Sequence, residues 1–146
     1  MVVTSSLTIA EVLSHKLDSK AEKRFFQATR MGVHQVEDVT PPIADRARKY
    51  RDFYENNPVG QPNSIPAVTR KHLTTPDAIH LATAVIVGCG QFWTFDGIAG
   101  SKKDKSIGLL WLGNRAGHDD LIITQPDYDG DGESPKDGDP QMQLIP

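Results

Sequence analysis

The sequence predicts an α/β domain built around a largely parallel sheet, and three observations carry that expectation. Short runs of β-branched or aromatic residues at 1–4, 33–39, 91–95 and 121–124 alternate with longer runs of helical periodicity. Gly32, Gly88, Gly90 and the pair Asp96-Gly97 punctuate the boundaries between them. A length of 146 residues, with 38% hydrophobic and 24% charged, suits one core rather than two.

Met1 to Thr4 reads as the end of a strand. Thr8-Ile9-Ala10-Glu11 has the spacing of a capping box, so the spacing predicts a helix beginning near Thr8. A second helix is expected over 19–31, with Ala21, Phe25, Ala28 and Thr29 on one face and Gly32 ending it. Residues 33–39 follow as a strand. Pro41-Pro42 suits a first helical turn, and Ile43, Ala47, Tyr50 and Tyr54 continue at helical spacing, which places a third helix over 42–55. The stretch 56–74, with Pro58, Pro62 and Pro66, reads as a long surface connection.

Thr75-Pro76-Asp77 opens the clearest helix, capped by Thr75, with Ala78 to Val87 as a buried body. Gln91 to Phe95 should be a strand ending at Asp96-Gly97, and Leu121 to Thr124 another. These elements make residues 1–126 one domain. From Asp127 onward the chain is rich in Asp, Gly and Pro with almost no core-forming side chains, so 127–146 is expected to be a disordered acidic tail.

Composition narrows the function. Cys89 is the single cysteine, so no internal disulfide can form, and no Cys/His cluster has zinc spacing. With no signal-peptide pattern and no apolar run approaching the roughly 20 residues of a membrane span, a cytoplasmic protein without a membrane partner is expected. The formal charge is −3, but the chain without its tail holds 15 basic and 13 acidic residues, which is compatible with RNA binding through local patches.

The helix from 76 to 87 is roughly 18 Å long and the five-residue strand after it roughly 16 Å. In a right-handed crossover the helix start and the strand end then lie at one edge of the sheet, which brings Asp77 level with Asp96. Glu11, in the first turn after the strand ending at Thr4, belongs beyond a strand's carboxyl end as well. Oxygen ligands of this kind suit Mg²⁺ or Mn²⁺, and the chemistry they support is phosphodiester hydrolysis. Each has a blander reading: Glu11 as capping-box partner of Thr8, Asp77 as complement to the helix dipole, Asp96 as a turn residue.

Thr75-Pro76-Asp77-Ala78-Ile79-His80-Leu81-Ala82-Thr83-Ala84, followed by Phe92-Trp93-Thr94-Phe95-Asp96, resembles the PIN-domain family, particularly the VapC-type toxins of toxin–antitoxin pairs. Ser6 to Val12 is similar to the family's helix with its second acidic residue. The resemblance implies a three-layer α/β/α fold and a magnesium- or manganese-dependent endoribonuclease. Its acidic, metal-holding site would be Glu11, Asp77 and Asp96, with Thr94 as a polar helper. It also implies an RNA substrate, an antitoxin partner that covers the site, and homodimers.

The sequence departs from the family at one point. Members begin with a central strand ending in an Asp, and this chain opens on what corresponds to the second strand. Losing that strand exposes two unpaired edges and removes a carboxylate. Two readings follow, a start upstream of Met1 or an inactive relative, and the intact acidic positions favour the first. An in-frame stop codon directly before Met1 would overturn it.

Other features are expected to be inert. Asp127 to Gly132 resembles half of a calcium loop, but Gly138 stands where the bidentate Glu belongs. His80 reads as a core-edge helix residue rather than a base. His118-Asp119-Asp120 reads as a solvated turn; Lys102, Lys103 and Lys105, close after Asp96, read as a solvated loop, with contact to RNA phosphates as the alternative. The rival from another class is a non-catalytic PIN remnant acting as a protein- or RNA-binding module. A receiver-like α/β domain is disfavoured because no late lysine matches its pattern.

Overall fold

The computed structural model describes residues 1–14, 17–30, 34–57, 59, 72–97 and 106–126. The tail from 127, the lysines at 102, 103 and 105, Gly32 and most of the proline-rich connection lie outside the described residues.

The element order is β1 (Val2–Ser5), α1 (Ser6–Ser14), α2 (Ser19–Arg30), β2 (His34–Glu37), α3 (Pro41–Asn56), α4 (Thr75–Val87), β3 (Gln91–Trp93), a 3₁₀ turn (Leu109–Leu112), β4 (Arg115–Ala116), β5 (Asp119–Asp120) and β6 (Ile122–Thr124). The fold is α/β. β1 pairs with β2 and β3 with β6, both parallel, while β4 and β5 form a small antiparallel hairpin. Among the described residues each parallel pair stands alone, so β1 and β3 are each bonded on one side only. A cavity of about 620 Å³ lies against both, and every residue of β1 and of β3 lines it.

α4 is the centre of the core. Ala78, Leu81 and Ala82 are fully buried, and Ala84 nearly so, against Ile43, Ala47, Tyr50 and Tyr54 of α3. The stripe of α3 read from the sequence is thus the stripe that packs. Gly88 ends α4 at φ 81, with its N–H on the Val85 carbonyl and the Cys89 N–H on the Ala84 carbonyl, a Schellman arrangement that satisfies orphan carbonyls.

Several boundaries differ from the sequence reading for identifiable reasons. α1 starts at Ser6, because the Ser5 hydroxyl accepts the Leu7 amide at 3.2 Å. The capping box at Thr8 therefore does not form: the Thr8 hydroxyl accepts from Thr4 at 2.9 Å, and Glu11 moves to the second turn. α2 is capped by Asp18, whose carboxylate accepts the Ala21 amide at 2.8 Å. Its inner face is Ala21, Phe25, Phe26 and Thr29, all half-buried, with Ala28 exposed instead. α4 is capped by Thr74 rather than Thr75. β3 stops at Trp93 because its partner β6 has three residues, with one further backbone bond from Thr94 N–H to the Thr124 carbonyl. The connection before α4 is not all surface, since Leu73 is buried and the His72 carbonyl accepts from Ile107 N–H at 3.1 Å.

The largest correction concerns His118-Asp119-Asp120. Asp119 accepts from both Arg46 and Tyr50 of α3 at 2.6 Å, and His118 packs edge-on to Phe53. One turn on, the Tyr54 hydroxyl donates to the Arg115 carbonyl and accepts the buried Gly117 amide at 2.8 Å. Arg46, Tyr50 and Tyr54, spaced four apart on one face, clamp the β4–β5 hairpin to α3.

Two predictions follow from the clamp. Tyr54→Phe leaves the Gly117 amide without its partner, and a loss of about 1–3 kcal/mol is expected in urea unfolding; a loss under about 0.5 kcal/mol would mean that solvent replaces the phenol. Tyr50 and then Arg46 hold the Asp119 carboxyl below the usual carboxylate range. A lowered folded value means that the contribution is present above the unfolded value and is lost as pH falls through the folded one. The stability gap between wild type and Asp119→Asn should therefore be widest near neutral pH and close in acid; a gap that widens in acid would contradict the clamp.

Candidate active site

Asp96 is placed by the turn that ends the β3 segment. Its amide donates to the Thr94 hydroxyl oxygen at 3.0 Å, its carboxylate accepts the Leu109 amide at 3.2 Å, and its carbonyl accepts the Leu110 amide at 2.9 Å. Three bonds, two of them to the 3₁₀ turn and one of those to the carboxylate itself, hold Asp96 just beyond the carboxyl end of β3. Thr94, expected as a polar helper, serves at least this backbone role.

Asp77 is the third residue of α4. Its amide donates to the Thr74 hydroxyl at 3.2 Å while that hydroxyl donates to the Asp77 carboxylate. The Thr74 hydroxyl thus caps the helix and orients the carboxylate at once, and it leaves that carboxylate in the first turn, where the helix dipole favours negative charge.

Glu11 reaches from α1 to α4, where its carboxylate meets His80 Nε2 at 2.8 Å. His80 is three residues beyond Asp77, hence on a neighbouring face of the same helix, and only 16% of its side chain is exposed. The sequence reading placed His80 at the core edge and missed this partnership, because no sequence spacing reports a bond between residues 69 positions apart.

Glu11 and His80 both line the cavity between β1 and β3, together with His34, Cys89 and Trp93. Asp77, Asp96 and Thr94 lie outside that lining. Among the described residues, no group of three or more His, Cys, Asp or Glu side chains stands close enough to hold a metal ion. The structure thus joins Glu11 to α4 and anchors Asp96 and Asp77 separately. Burial pushes the Cys89 thiol up, away from thiolate chemistry. His34 Nε2 is buried without a hydrogen-bond partner among the described residues.

In donor chemistry, the carboxylates of Glu11, Asp77 and Asp96 and the hydroxyls of Thr74 and Thr94 are hard oxygen ligands that fit a divalent cation of the magnesium type. Nothing in the set suits a soft metal.

Comparison with known proteins gives one match: the profile of the PIN domain covers residues 1–102, and so includes Glu11, Asp77 and Asp96. No curated protein and no solved structure matches significantly.

Proposed function

The chain belongs to the PIN domain family, a nuclease-type domain that generally uses divalent metal ions, and from that premise we propose that it is a metal-dependent endoribonuclease of the VapC toxin type. The observation that carries this reading is the 2.8 Å bond from Glu11 to His80, which ties the acidic residue of α1 to the helix bearing Asp77. Glu11, Asp77 and Asp96 would hold the cation, Mg²⁺ or Mn²⁺. When bound, such an ion neutralises charge on the scissile phosphate and acidifies a water.

Each of the three carboxylates has its own anchor in the chain. The 3₁₀ turn fixes Asp96 through the Leu109 and Leu110 amides, so its carboxylate does not depend on the cation for its position. Thr74 orients Asp77, and His80 holds Glu11 on α4.

We further propose an antitoxin that covers this edge, a homodimer, and a cytoplasmic setting. Among the described residues no helix is long and apolar enough to cross a membrane. The second reading, a non-catalytic binding module, is favoured by one observation, the absence of a three-residue acidic cluster among the described residues. RNA cleavage by the purified chain with and without Mg²⁺ or Mn²⁺, set against an Asp96 variant, separates the two. Metal-stimulated cleavage lost in the variant supports the nuclease; RNA binding with no cleavage supports the binding module.

A further inference from the structure

Trp93 is a large apolar side chain where a folded protein has reason to bury one, yet it is 58% exposed, and Phe95, two residues on, is 48% exposed. The alternation of a strand explains how. Phe92 is half-buried and pairs in register with buried Ile123, so the residues on either side of it point the other way. Trp93 therefore points away from Ile123, and Phe95 follows it just beyond the end of β3.

Two further observations tie these rings to the candidate site. Trp93 lines the cavity that Glu11 and His80 also line, and it stands three residues before Asp96, within roughly 10 Å along an extended chain. Its indole N–H donates to the Gln91 side-chain carbonyl at 3.1 Å, a bond that restrains the ring through its edge. A ring held in this way loses little freedom when a second ring stacks on it.

We propose that Trp93, with Phe95 beside it, is a stacking platform that positions an unpaired base of the RNA next to the acidic edge. The inference rests on the nuclease reading above and deepens it by naming a residue that positions the substrate. Aromatic side chains take any base by its face, and a base is available for this only when it is out of a duplex. Trp93 would thereby set which nucleotide lies beside the acidic edge, with cleavage next to the stacked base.

The test measures binding in EDTA, so that it does not depend on cleavage. Fluorescently labelled oligoadenylate, oligouridylate and a fully paired RNA duplex are titrated with the full chain, with Trp93→Leu and with Trp93→Phe. Trp93→Leu is expected to weaken single-strand binding about 5- to 100-fold, Trp93→Phe to recover most of it, and duplex binding to be the same in all three. In the cleavage assay Trp93→Leu should raise KM with kcat nearly unchanged.

Equal affinity of wild type and Trp93→Leu for single strands overturns the proposal, as does equal impairment of Leu and Phe variants. A loss of self-association in sedimentation, with RNA affinity unchanged, would assign the patch to a protein interface instead. Binding through Trp93 without any metal-stimulated cleavage would leave the platform standing and remove the nuclease reading. Cleavage that is indifferent to Trp93 would do the reverse.

Discussion

Asp96→Asn is expected to lower metal-dependent RNA cleavage about 100- to 10,000-fold, the loss of a few kcal/mol of charge stabilisation at the phosphate. Asparagine is the informative replacement because Asp96 has two duties. One is the proposed ligand role; the other is accepting the Leu109 amide at 3.2 Å, which anchors the 3₁₀ turn. The asparagine side-chain carbonyl can still accept that amide, whereas alanine removes both functions. If both variants are inactive while Asp96→Asn unfolds like wild type, the charge is what matters. If Asp96→Asn keeps near-normal cleavage and only Asp96→Ala is inactive, Asp96 is a loop anchor and the acidic site must be sought elsewhere.

The periodic part of the fold was legible in the sequence. Ile43, Ala47, Tyr50 and Tyr54 could be read as one helical stripe, and all four are buried against α4. Local ambiguity accounts for the shifted caps. Thr74 and Thr75 are equally good N-caps in isolation, and Pro76 is tolerated at either of the first two helical positions, so only the bond from the Asp77 amide decides between them. Ser5 and Thr8 present the same choice, and Ser5 takes it because β1 runs directly into α1.

What escaped the sequence is long-range polar pairing. Asp119 looked like a turn residue because its partners, Tyr50 and Arg46, are 69 and 73 positions away. Glu11 and His80 were each legible as residues of interest but not as a pair. The placement of the candidate residues was legible in part: element order put Asp77 at the start of α4 and Asp96 after β3, which is where they stand. How far Glu11 stands from these two residues depends on how the two parallel pairs are spaced across the cavity, and strand periodicity does not report that spacing.

Gly108→Ala should be among the most damaging single changes outside the core, lowering stability by about 3 kcal/mol and the melting temperature by roughly 10 °C. A Cβ at Gly108 would stand 2.6 Å from the Gly97 Cα and 2.8 Å from the Trp111 ring, and neither can retreat easily. Gly97 is held at φ 96, and the Trp111 indole N–H is bonded to the Gly97 carbonyl at 2.9 Å. The two glycines let the segment after β3 touch the start of the 3₁₀ turn, the contact that brings the Leu109 and Leu110 amides to Asp96. Forcing them apart should therefore displace Asp96 and lower cleavage even in molecules that remain folded. Gly90→Ala is the matched control: its φ is unrestricted and nothing lies within 4 Å of the added Cβ, so it should unfold like wild type. Thermal melts and cleavage rates of the two variants, measured side by side below both transitions, decide the matter. A Gly108→Ala protein as stable and active as Gly90→Ala would mean that Asp96 owes its position to something other than this close approach.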